Sequence, residues 1–273
     1  SGDWLARLGE RGSRAGRSGF EAGWAASAEA VRMTLAMIHS VPDMRSVLLL
    51  SALHDEGCPE GTTTSGGSVP WILSVSSCLG DDAPPSLRLE ACHLLSKLLD
   101  GLAPVDYAAL DAPLRGAADL RECAGAQLAG ALVALDGETA RREPSAAPIA
   151  LSALRVLAGA SLGAKHELLR SGHFSMLLSR ISDLLSLPQR LAAASAVAVR
   201  RGRRPTPASD EATSAPAELV TTTLLEAVGL LSNTLVGCEE AKLTCVSLQL
   251  PRTLLRLWKA SHGAPHARRL VLT

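Results

Sequence analysis

One helical pattern recurs four times along this chain. A small residue is followed by small or apolar residues three, four, seven and eight places on. The copies are Ala30/Met33/Thr34/Met37/Ile38, Ala91/Leu94/Leu95/Leu98/Leu99, Ala153/Val156/Leu157/Ala160/Ser161 and Ala227/Leu230/Leu231/Thr234/Leu235. Their starts stand 61, 62 and 74 residues apart. A helix pattern at a long, nearly fixed interval marks an array of units, none of which can bury its apolar stripe alone. Such helices must stack on their neighbours.

Composition agrees with that constraint. The chain of 273 residues is 47% hydrophobic but only 3% aromatic, so its core is built from Leu, Ala and Val. That suits closely packed helices better than a sandwich of strands. No stretch alternates with a two-residue period, which predicts an all-α fold. Lys+Arg and Asp+Glu both number 27, and the balance argues against broad capture of nucleic acid or of an anionic membrane. No run of 18 apolar residues occurs, so no membrane-crossing helix is expected. Ser1 opens the chain and Arg268-Arg269-Leu270-Val271-Leu272-Thr273 closes it on an apolar helix-like run, which reads either as a segment of a longer protein or as a mature chain without its ends.

Residues 1–20 are Gly-, Arg- and Ser-rich and read as a loose segment, ahead of a repeat domain over 21–273. Apolar spacing and turn signals predict helices over 21–39, 42–54, 69–79, 86–101, 113–135, 148–161, 164–171, 173–186, 188–200, 217–235, 238–247 and 251–261. Mobile loops are expected near 55–67, 136–147 and 201–216. The last of these also accounts for the longer final interval.

Few residues carry recognisable chemistry. Phosphate-cradling glycine loops, the Gly-x-Ser-x-Gly elbow and the His-Glu-x-x-His motif are all absent from the sequence. Of the six cysteines, Cys78, Cys92 and Cys123 with His93 fail the spacing of a zinc site and read as core residues. Cys58, Cys238 and Cys245 complete the set without any Cys-x-x-Cys pair, which fits a reduced, cytoplasmic setting. His166 and His173 read as turn residues, and Asp81-Asp82 as a turn and helix start. Arg200, Arg201, Arg203 and Arg204, followed by Pro205-Thr206-Pro207, form a basic loop. It is either a solvated linker or a contact for nucleic acid, an acidic surface or an import receptor, and phosphorylation at Thr206 would offset part of its charge.

Two segments resemble armadillo-type repeats. One runs from Ala153 to Gly159 and on through Lys165, Leu169, Gly172 and Leu177-Leu178; the other runs from Ala227 to Leu235 and on through Lys242, Cys245-Val246 and Leu254-Leu255. Gln249 stands where the first segment has Gly172, and the copies near residues 30 and 91 match less well. The resemblance implies an armadillo- or HEAT-like α-solenoid, a right-handed superhelix whose long helices line a concave groove. In that register one polar face carries Glu29 and Arg32, then Glu90, His93 and Lys97, then Ser152, Arg155 and Gly159, then Glu226, Gly229 and Asn233. The groove candidates are Glu90, His93, Lys97, Arg155, Glu226 and Asn233. In import receptors of the family an Asn binds peptide backbone beside a Trp. Asn233 matches the Asn, but Gly229 stands at the Trp position. Asn233 is therefore either a groove contact or a helix-end cap. The expected function is a non-catalytic protein-binding scaffold within a larger cytoplasmic assembly, cytoskeletal or ciliary. The alternative is a nucleocytoplasmic-transport or nucleic-acid-associated adaptor. The expected partners are other proteins rather than membrane, nucleic acid or a small-molecule substrate, with no cofactor and no metal.

Overall fold

The computed structural model describes residues 17–45, 47–48, 71–100, 108–112, 123–184, 210–252 and 255. Most of these residues are helical, with no strand among them. The longer helices are α1 (Arg17–Ser40), α2 (Trp71–Leu79), α3 (Pro85–Leu99), α4 (Ala124–Arg142), α5 (Ala147–Ala160), α6 (Leu162–Arg170), α7 (173–184), α8 (Asp210–Leu235) and α9 (Glu239–Ser247).

The four pattern-bearing helices pack in sequence order, α1 on α3, α3 on α5 and α5 on α8. A second set joins them: α2 packs on α3 and α4, and α4 on α5 and α6. The pattern itself shows why. Ala30, Ala91, Ala153 and Ala227 are exposed by 2, 0, 0 and 0%, so the small residue of every copy sits at a helix–helix contact. Buried alanines on α5 (Ala147, Ala150, Ala153, Ala158) let it approach α3, α4 and α8 together. Leu94, Leu95, Leu98, Leu151, Leu154, Leu157 and Leu230 fill the space between, and burying each contributes about 2 kcal/mol.

Several boundaries differ from those expected. Helix α4 does not break at 136; it continues to Arg142, and a 3-10 turn over Pro144–Ala146 leads straight into α5. The Asp136-Gly137-Glu138-Thr139 stretch reads as a turn, yet Asp136 and Thr139 are buried, and tertiary contacts hold the helix through it. Helix α8 starts at Asp210, not near 217, and carries Pro216 inside it, where one backbone donor is missing from the ladder. Helix α1 begins at Arg17, inside the segment read as loose. The expected loops over 55–67 and 201–209 and the helix over 188–200 lie outside the described residues.

The first copy also departs from its pattern. Met33 and Met37 belong to the repeated stripe but are 56% and 44% exposed. Helix α1 packs on α3, and among the described residues no helix covers its other side. On α9, Leu243 and Val246 are exposed likewise, while Cys245 and Ala241 face inward.

Two of the turns share a backbone conformation. Gly172, which follows α6, has φ +74°, and Gln249, its counterpart after α9, has φ +53°. Both stand in the left-handed region that closes helices and that side chains tolerate poorly. Gln249→Gly is therefore expected to raise unfolding free energy by about 1 kcal/mol. Urea denaturation reads this out, and an unchanged midpoint would contradict strain at Gln249.

Candidate functional site

The long helices engage Glu90, Arg155, Glu226 and Asn233 of the sequence candidates in contacts between helices and leave His93 and Lys97 unpaired among the described residues. Arg32 on α1 donates from Nε to Glu90 Oε1 on α3 at 3.0 Å. Arg155 on α5 donates from Nε to Glu226 Oε2 on α8 at 2.7 Å. The two pairs occupy the same register. Each arginine stands two residues after the small residue of its copy, and each glutamate one residue before that of the next. Neighbouring long helices are thus joined by a repeated Arg–Glu bridge.

Asn233 is not the helix-end cap that the sequence offered as one alternative. It caps no local backbone: its Nδ2 donates to the carbonyl of Arg155 across the helix pair at 2.7 Å. The glycines around it are explained by the same contact. A Cβ at Gly159 would lie 3.0 Å from Asn233 Nδ2, and one at Gly229 would lie 2.5 Å from Arg155 Cδ. The arginine stem therefore lies over Gly229, at the position where the resemblance places a Trp. Lys165 on α6 makes a further tie, donating from Nζ to the carbonyl of Val236 just past the end of α8. A cation there also meets the negative end of the helix.

The middle step of the row is different. Between α3 and α5 the arginine position holds His93 and the glutamate position holds Ser152. No bridge forms there, and a cavity of about 310 Å3 opens instead. Helix α3 lines it with His93, Ser96, Lys97 and Asp100. Helix α5 supplies Pro148, Ile149, Ser152, Arg155 and Val156, and α8 supplies Thr222 and Glu226. The wall thus comes from three consecutive long helices. Of the titratable groups present, Arg155 and Glu226 are engaged with each other, whereas His93, Lys97 and Asp100 have no side-chain partner among the described residues.

Two polar clusters were not legible in the sequence. Asp111 follows the 3-10 turn Ala108–Leu110 and caps α6 from outside its own segment. Its carboxylate accepts from Ser161 Oγ at 2.5 Å, from Leu162 N at 2.8 Å and from Gly163 N at 2.9 Å. Ser161, the N-cap itself, accepts from Ala164 N at 3.0 Å. The other cluster centres on Asp136, which is 3% exposed. Arg180 of α7 donates from Nη1 to both of its oxygens at 2.9 and 3.0 Å. His173 Nε2 stands 3.7 Å away, and neither ring nitrogen has a hydrogen-bond partner.

The His173 site has a pH consequence. Burial pushes the imidazole pKa below its ordinary value; Asp136 pulls it up and Arg180 pushes it down further. Cys92 of α3 borders the same carboxylate, its thiol pushed up to about 12 by burial and by Asp136, so it stays protonated. An unfolded His binds its proton near about pH 6.5, whereas the folded one must wait for a lower pH. Stability from this group is present above the unfolded pKa and is lost as pH falls through the folded one. His173→Phe should flatten that acid limb. The check is the change in urea midpoint from about pH 7.5 to pH 5 in both proteins, and equal losses would refute it.

Burial also shields the other described cysteines. The Cys78 thiol is pushed up to about 11 by burial. Cys123 and Cys245 are raised by burial too, and Cys238 is likewise buried. The raised thiols of Cys78, Cys92, Cys123 and Cys245 remain protonated at neutral pH. Among the described residues no three His, Cys, Asp or Glu side chains come close enough to hold a metal ion. No single described helix is long and apolar enough to cross a membrane. The bent pair Glu218–Leu235 and Glu239–Ser247 passes that test only jointly, and it turns by 119°. Leu224, Ala227, Leu230 and Leu231 of that pair are buried in the helical core. Arg200, Arg201, Arg203 and Arg204 lie outside the described residues. No family model, curated protein or solved structure matches this chain.

Proposed function

We propose that the chain is a non-catalytic scaffold, an armadillo-like α-solenoid that holds an extended segment of another protein against its long helices. The observation that carries this reading is the cavity walled by α3, α5 and α8 together, on the face that bears the polar side chains. Three further features support it. The long helices pack in chain order, as stacked repeats do. The Arg–Glu bridge recurs in register at two of the three steps. The turns at Gly172 and Gln249 share a left-handed backbone.

The mechanism is a surface ready before the partner arrives. The Arg155–Glu226 and Asn233–Arg155 contacts hold α5 and α8 in place, so binding orders little of the scaffold itself. Apolar floor residues Ile149 and Val156 bury a partner side chain, and the free serine hydroxyls of Ser96 and Ser152 meet its backbone. The cytoskeletal or ciliary placement rests on the sequence alone.

A photo-reactive residue at position 152 tests the reading against one at Gln127, an exposed position of α4 outside the cavity lining. Crosslinks to a polypeptide from position 152 and not from 127 are expected in native extracts. Equal crosslinking from both positions would remove the groove as the binding surface.

A further inference from the structure

The cavity lies at the one step of the row where the interhelix bridge is missing. At the α1–α3 step Glu90 offers its carboxylate to Arg32, and at the α5–α8 step Glu226 offers its own to Arg155. At the α3–α5 step the arginine position holds the imidazole of His93, a hydrogen-bonding group, and the cation is Lys97, one turn further along α3, but the carboxylate side is Ser152. Residues four apart on a helix share a face, so His93 and Lys97 look onto the same space. They face donor groups as well, the hydroxyls of Ser96 and Ser152, and an apolar floor of Ile149 and Val156.

Building on the groove reading above, we propose that this cavity receives an acidic side chain flanked by aliphatic ones on an extended partner segment. Its carboxylate takes the place of the missing glutamate, between His93 and Lys97. The partner thereby completes, from outside, the bridge that the neighbouring steps make within the chain. Every charged group of the wall has a part in this. Glu226 is neutralised by Arg155 at 2.7 Å, so it repels an incoming acid little. Asp100 stands three residues beyond Lys97, at the end of α3, and repels an acid from that end of the cavity. The carboxylate is thus held at the His93 side. The flanking aliphatic groups cover Ile149 and Val156, and removing that surface from water supplies affinity that charge alone does not. The cavity volume of about 310 Å3 suits a few side chains rather than a folded domain.

The test uses a fluorescein-labelled peptide, Ser-Leu-Glu-Leu-Ser, and its counterpart with Gln in place of Glu. Each is titrated with the full chain, and anisotropy is followed at low and moderate salt. The glutamate peptide should bind about three to five times more tightly, with the difference narrowing as salt rises. Lys97→Gln should abolish the difference. Ser152→Glu supplies the carboxylate from within and should remove the preference for the acidic peptide. Both positions are half-buried at the cavity edge, and circular dichroism confirms that the variants fold. If both peptides bind the unsubstituted chain equally, or the preference survives Lys97→Gln, the acidic partner is refuted while the groove reading stands. If neither peptide binds, both readings fall.

Discussion

Replacing Asp136 by alanine is expected to cost about 3–4 kcal/mol of stability, a large effect for one polar side chain. The carboxylate is 3% exposed, and Arg180 reaches both its oxygens. Without it the guanidinium, whose side chain is only 21% exposed, keeps its charge but loses its counter-ion. Asp136→Asn keeps the shape and one acceptor and should lose about half as much. The decisive comparison is the pair. If the loss reflects an uncompensated charge, Asp136→Leu combined with Arg180→Met should be less destabilised than Asp136→Leu alone. Urea denaturation of the four proteins gives the coupling, and additive losses would show that Asp136 acts through packing instead.

Gly125→Ala should cost about 3 kcal/mol, although helix propensity alone predicts a gain of about 0.5–1 kcal/mol from the same change. The reversal comes from one approach. A Cβ at Gly125 would lie 2.0 Å from Ser161 Oγ and 2.8 Å from Ser161 Cβ, with the carbonyl of Leu110 at 3.3 Å behind it. Ser161 cannot simply turn aside, because its hydroxyl donates to Asp111 and accepts from Ala164 N. Relieving the clash therefore breaks the cap of α6 and loosens α4 from it. Ser161→Gly removes both clashing atoms, so Gly125→Ala should be much milder in that background. A full penalty in the Ser161→Gly background would place the strain elsewhere, at Leu110.

The scale of these two effects sets the candidate groove in context. Asp136 and Gly125 fix how α4, α6 and α7 sit together, and α4 in turn packs on α5. The groove side chains do less for stability. The Arg155–Glu226 bridge is 38% and 21% exposed and is worth about 1 kcal/mol or less, so substitutions in the cavity should change binding before they change folding. That separation makes Lys97 and Ser152 useful positions for testing function.

By itself, the sequence determined the helical class and the order in which the long helices meet. The spacing of Ala30, Ala91, Ala153 and Ala227 needs no partner to be read, because a small residue with apolar neighbours at helical intervals already defines a face that must be covered. The shared face of Glu90, His93, Lys97, Arg155 and Glu226 was legible for the same reason. What each of those residues does was not. Whether Arg155 meets solvent, a ligand or Glu226 depends on a helix 71 positions away, and helical periodicity carries no information about such a contact. Asn233 and its two glycines likewise acquire meaning only when α8 lies against α5. The sequence put a break at 136–147 because Asp, Gly and Thr are locally turn-forming. The tertiary structure overrode that preference with buried partners for Asp136 and Arg88, the latter holding Glu138 at 2.5 Å. Local chemistry decides which segments can be helices; only packing decides which polar groups are spent inside the fold and which, like His93 and Lys97, stay unpaired among the described residues.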